Sequence, residues 1–187
     1  MYTFAHTAPF DIKVYVDPGD DRTGMPLSQG AILTLIAVTA SEYLDPDVIK
    51  KIEQVDPVAW YAGQSLETIL NAFEDHDPRL VIDLGKNIYY TLETQFRAIG
   101  IETPADVIKT IPLLWQQVTR GDSGEWRSRM IGEHEAHVEM EQPYNCQFEQ
   151  GAIQGALECF NASNVDIQHT TCRRKGDQWC TLAIKWQ

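Results

Sequence analysis

Apolar positions along this chain follow two rhythms, and the changes of rhythm divide it. In FDIKVYVDPGDD (10–21), Phe10, Ile12, Val14 and Val16 alternate with Asp11, Lys13, Tyr15 and Asp17. A period of two predicts a half-buried strand, closed by a turn at Asp17-Pro18-Gly19. From Leu27 to about Gly121 the period is helical. SQGAILTLIAVTASEYL offers Ser28 as its N-cap, and DPDVIKKIEQV offers Asp45 with Pro46 at the first helical position. SLETILNAFEDH predicts a helix capped by Ser65, with Glu67 in the first turn and Leu66, Ile69, Leu70 and Phe73 as its apolar face. DPRLVIDLGKNIYYTLETQFRAIG repeats the Asp-Pro opening and closes at Gly100. TPADVIKTIPLLWQQVTRG uses Thr103 and Pro104 in the same way, with Pro112 expected to kink or restart the helix.

After Gly121 the rhythm changes again. In GEHEAHVEMEQ, Glu133, Glu135, His137, Glu139 and Glu141 alternate with His134, Ala136, Val138 and Met140, which predicts a strand with one wet, acidic face. EQGAIQGALECFNASN reads as a helix with Gly151 and Gly155 four apart on one side, ended by Asn161 or Asn164. Interior glycines cost a helix about 1 kcal/mol each relative to alanine, so close backbone approach to another element is the expected offset. VDIQHTTC and WCTLAIKW then predict a closing hairpin around Gly176. The expected fold class is α+β: a helical N-terminal half packed on an antiparallel sheet that carries a C-terminal strand–helix–hairpin. The expected organisation is one domain over 1–187, with an extended segment (1–26), a helical half (27–121) and a strand–helix–hairpin half (122–187).

Charge narrows the partners. The 187 residues carry a net charge of −12, which repels phosphate backbones and anionic lipid, so neither nucleic acid nor a membrane surface is the expected partner. The longest apolar run, AILTLIAV (31–38), is too short to span a bilayer. MYTFAHTAPFD lacks the basic and apolar regions of a secretion signal, and a cytoplasmic location is the expectation.

Four cysteines in such a chain point to reduced thiols or a metal more than to a disulfide framework. A hairpin centred on Gly176 sets Cys172 opposite Cys180, a spread that suits two thiolates on one metal, two buried thiols or a disulfide. Cys146 opens the glycine helix and is the next candidate ligand. Cys159 reads as a small buried hydrophobe. His169, three residues before Cys172, should face the other side of its strand. The same argument separates His134 and His137 in EHEAH. No phosphate loop, dinucleotide glycine motif or Ser/His/Asp order is present. Among the aromatic residues of the helical half, Trp60, Tyr89, Tyr90, Phe96 and Trp115 are the candidates to line a pocket. Tyr89 and Tyr90 point about 100° apart and cannot both face the core.

CQFEQGAIQGALECF…VDIQHTTCRRKGDQWCTLAI resembles the C-terminal half of the small-molecule-binding domain of the 4-vinyl reductase family. The carriers are Cys146, Gly151, Gly155, Cys172, Gly176 and Cys180. For Leu27–Gly121 the likeness is only a compatible helical pattern. That family belongs to a superfamily that includes haem–nitric oxide-binding domains and trafficking subunits. The resemblance implies a non-enzymatic sensor that holds a small apolar or aromatic ligand between helices and sheet, acting through a homodimer or a signalling partner. It also implies a structural zinc in some members, with Cys172, Cys180 and then Cys146 in the metal shell. An enzyme or accessory of tetrapyrrole vinyl reduction, and a ligand-free scaffold subunit, are the alternatives. The haem branch uses Tyr-x-Ser-x-Arg and a histidine from its helical half. This chain has no such motif, and its helical half has only His76 at a helix junction, so haem is not expected.

Overall fold

A computed structural model describes residues 2–187. In chain order the elements are β1 (Val14–Tyr15), β2 (Leu27–Gln29), α1 (Gly30–Ala40), α2 (Pro46–Ile52), β3 (Trp60–Ala62), α3 (Gly63–His76), α4 (Pro78–Thr91), α5 (Glu93–Ala98), α6 (Pro104–Val118), β4 (Thr119–Arg120), β5 (Glu125–Gly132), β6 (Glu135–Glu141), α7 (Cys146–Cys159), β7 (Asp166–Thr171) and β8 (Cys180–Lys185). The fold is α+β, as the patterning implies. Helices form the N-terminal half. An antiparallel sheet of order β5-β6-β8-β7 forms the C-terminal half, and a small sheet of order β1-β3-β2-β4 ties the helices together.

Three helix starts follow their predicted caps. Asp45 and Asp77 accept backbone N–H groups from Asp47 and Arg79, each ahead of a proline. Thr103 and Asp106 bond each other's backbone in a capping box. Two predicted caps are overturned. Ser28 lies in β2, and α1 starts at Gly30, whose N–H bonds Ala59 O while Ala31 N–H bonds Pro57 O. Backbone carbonyls of the neighbouring loop thus satisfy the helix start. Ser65 is inside α3, which begins at Gly63, and its hydroxyl donates to Asp11 O at 2.6 Å. That tie explains a further correction. The segment 10–21 is strand only at Val14–Tyr15, because Asp11 is held by a side chain of α3 and not by a ladder. Val14 is 57% and Val16 90% exposed, so only Phe10 and Ile12 of the alternating set turn inward.

The long helix expected from Asp77 to Gly100 breaks at Leu92 into α4 and α5, while α6 runs through Pro112 without a new start. β5 has no counterpart in the sequence reading, since Trp126 is its one buried residue and its pattern does not alternate cleanly. β6 behaves as predicted: Ala136, Val138 and Met140 are fully buried and the intervening acidic residues are not.

The join between the halves is made by α4 against α7. A Cβ on Gly151 would land on Ile82 O, one on Gly155 on Lys86 O, and one on Gly85 on Phe148 O. The two helices therefore touch backbone to backbone, which is the close approach that Gly151 and Gly155 imply.

Candidate functional site

Two constellations lie where α7 meets the sheet and the helices. The first joins the start of α7 to the β7–β8 hairpin. Ligand atoms of Cys146, His169, Cys172 and Cys180 all lie within 4.8 Å of one another. Cys146 Sγ and Cys172 Sγ are 3.6 Å apart, far beyond a disulfide bond, and all four cysteines are free thiols. Sulfurs held about 2.3 Å from one tetrahedral ion stand roughly 3.8 Å apart, so the spacing fits a shared metal.

His169 belongs to this set, against its expected orientation. The register of β7 on β8 shifts between His169 and Thr171, where a β-bulge absorbs one residue. In a regular strand residues three apart face opposite sides; across a bulge they share one. Regular pleating would turn His169 away; the bulge, which sequence does not announce, brings it back. Nε2 of His169 is buried without a hydrogen-bond partner, which a metal ion would supply.

The surroundings fix this group. Asp177 accepts the Cys172 N–H at 2.7 Å, and the Arg173 N–H points at Cys180 Sγ at 3.3 Å. A hydrogen bond from Cys146, aided by His169 and the Arg173 N–H, draws Cys180 well below the ordinary thiol range, while Cys146 is pushed up as the donor. The cluster thus favours a thiolate before any ion arrives. Arg174 reaches back to α3, bonding Glu74 at 2.6 Å and Asn71 at 3.3 Å. Asn145 caps α7 and donates its own N–H to Glu67 and its amide to Glu74. A polar cleft of about 300 Å³, lined by His6, Glu67, Asn71, Arg173 and Arg174, leads to Cys180 and offers an entry path.

The second constellation is an apolar cavity of about 90 Å³ between α4, α5 and α6 on one side and α7 with β5 on the other. Of the five aromatic residues expected at a pocket, Tyr89, Phe96 and Trp115 line it. Trp60 does not: it is buried on β3 under the Arg120 guanidinium, 4.3 Å from the ring centre. Tyr90 does not either. It is 42% exposed and bonds Glu158 on the outer side of the α4–α7 pair, so Tyr89 is the inward member. Trp126, Tyr144 and Phe148 complete the aromatic wall; Trp115 stacks on Trp126 at 4.9 Å and meets Tyr144 edge-on at 5.5 Å.

Among the described residues, Ser28 Oγ, Trp126 Nε1 and Tyr144 Oη are buried with no hydrogen-bond partner, and all three residues line the cavity. Glu149, 5% exposed, lines it too and makes no hydrogen bond through its carboxyl among the described residues. Burial, with the charge of Glu67 nearby, pushes Glu149 up to about 8. Burial also raises Glu67 to about 7, against the pull of Arg174 and the Asn145 N–H. Sequence reasoning missed Glu149, yet a signal was present. It occupies the same helical stripe as Ala152, Ile153 and Ala156, where an acid has no place in an ordinary core.

No histidine, cysteine or methionine is among the residues lining the cavity; Tyr89 and Tyr144 are its side chains of a type that ligates haem iron.

No protein-family model and no curated protein sequence matches this chain. Solved structures do resemble it in fold. An H-NOX protein from S. oneidensis, solved in its Fe(II)NO ligation state, superposes with a TM-score of 0.65 at 16% identity, covering 85% of this chain and 99% of that one. The unliganded Fe(II) H-NOX protein from K. algicida gives 0.64 at 11% identity, covering 85% and 96%. An NMR structure of the S. oneidensis H-NOX domain in the Fe(II)CO state gives 0.63 at 14% identity, covering 85% and 98%. At these identities the likeness establishes a haem–nitric oxide-binding-like fold and nothing of the ligand.

Proposed function

We propose that this chain is a non-enzymatic, small-molecule-binding sensory domain, a single unit over residues 1–187, with a structural zinc at the base of its C-terminal hairpin. The observation that carries the reading is the cavity: apolar walls that include several buried polar side chains without a partner among the described residues are the usual form of a small-ligand site. The Cys172…Gly176…Cys180 pattern supports kinship with the 4-vinyl reductase family, within the fold shared with the H-NOX structures. Cys146, Cys172, Cys180 and His169 would hold the zinc, a three-thiolate, one-imidazole set typical of structural sites. The ion would supply folding energy by joining α7 to the hairpin.

Signalling follows from where the cavity sits. Its walls come from both halves, so a ligand that favours one packing of helices on sheet shifts that equilibrium. A second copy or a cytoplasmic protein partner would read the change at the surface. Native mass spectrometry of the purified chain tests the reading. The expected result is a mass excess of one zinc per chain, and a small organic molecule retained at low collision energy. A metal-free chain that binds no small molecule would sink it and leave a ligand-free scaffold.

A further inference from the structure

We propose that the cavity selects a small, uncharged ring compound carrying a carbonyl acceptor beside an N–H or O–H donor, with Glu149 as the residue that reads this pair and Trp126 as a second donor to the carbonyl. The inference rests on the ligand-binding reading above and adds the chemistry of the ligand.

The donor set decides the class. Trp126 Nε1 only donates, so a ligand without an acceptor leaves it orphaned. Glu149 lies in an apolar wall with no cation among the lining residues. Its charged form is therefore costly there, and its neutral form offers one O–H donor and one C=O acceptor side by side. The partner that satisfies both at once is an edge with a donor next to an acceptor, as in a cyclic amide, where two parallel hydrogen bonds close a ring with the acid. An ammonium would pair with an ionised Glu149 but give nothing to Trp126, and a hydrocarbon would leave every polar group unmet. The upward shift of the Glu149 acid agrees with the neutral pairing.

Size sets the other limit. A cavity of about 90 Å³ holds roughly three waters or one five- to six-membered ring. Trp115, Trp126 and Tyr144, packed ring on ring, give that space an aromatic side, which suits a flat ring.

A four-compound series on one ring tests this: 2-pyrrolidinone (acceptor and donor), cyclopentanone (acceptor only), pyrrolidinium (cation) and cyclopentane (neither). Each is titrated into the full chain while the indole N–H resonance of Trp126, assigned with Trp126→Phe, is followed. 2-Pyrrolidinone is expected to shift that resonance and to bind at least about fivefold more tightly than cyclopentanone. Glu149→Leu, which removes a buried polar group and should fold, is expected to abolish that preference, with 2-pyrrolidinone falling to the affinity of cyclopentanone. If cyclopentane or pyrrolidinium binds best, or if Glu149→Leu leaves the preference intact, the ligand class is wrong although the cavity binds. If no compound shifts Trp126, the cavity is a water site, and both this inference and the ligand-binding reading fail.

Discussion

Glu149 is a buried carboxyl with no hydrogen bond among the described residues, set in an apolar wall, and its chemistry should be visible in bulk stability. An unfolded glutamate releases its proton near 4.5, whereas the folded one holds it to about 8. The folded pKa is raised, so this group's contribution is most favourable below about pH 4.5 and is lost as pH climbs toward 8. Glu149→Gln keeps the shape and removes the titration. The variant should match the parent near pH 5 and exceed it near pH 8.5 by on the order of 3 kcal/mol, or about 6–12 °C in Tm. Melting curves across that range check this. Parallel curves for parent and variant would mean the carboxyl finds a partner in solution.

At the level of elements, the β7 bulge decides who sits at the cysteine cluster. His169 and Cys172 share a face only because one residue between them is absorbed. Deleting Thr170 would make them two apart in a regular strand, again on one face, so the zinc content should survive. His169→Ala, which removes one ligand and leaves the bulge in place, should lower metal occupancy, as read by elemental analysis of the purified proteins. The α4–α7 contact makes a similar demand. Gly155→Ala improves helix propensity yet places a methyl on Lys86 O, and should cost about 1–3 kcal/mol by denaturant titration.

These elements also show what sequence could and could not convey. The helices at Asp45, Asp77 and Thr103 were legible because caps are local chemistry, and the Gly151–Gly155 approach was legible because two glycines in one helix need a reason. Ser28 and Ser65 misled because their helix starts are satisfied from distant backbone, which no local pattern records. Cys172 and Cys180 were readable as facing positions of a hairpin, and Cys146 as the residue that opens the glycine helix. His169 was not, since a bulge depends on pairing with another strand. Tyr89, Phe96 and Trp115 of the cavity were readable as aromatic positions. Trp126 was hidden in a strand with one buried residue, and Glu149 only shows its role once the helix face is seen to be buried.

On the scale of the whole molecule, the turn of the C-terminal hairpin is joined to the helices at two places. The cysteine–histidine cluster joins it to α7, and Arg174 joins it to Glu74 and Asn71 on α3. Stripping the proposed zinc with a chelator should lower Tm by more than about 6 °C and raise hydrogen exchange in 169–180 and at the start of α7, sparing the middle of α4 and α7. Uniform exchange throughout would show that the cluster is not a local clamp. The contact at Gly85, Gly151 and Gly155 then has a mechanical meaning. Where two helices meet main chain to main chain there are no rotamers to exchange, so α4 and α7 act as one beam. Leu92, a cavity-wall residue, stands at the break where α4 ends. Beyond it α5 is pinned back onto the end of α7 by Phe96 and by the Arg97 guanidinium, 4.8 Å from the Phe160 ring, so this wall of the cavity hangs from the same beam.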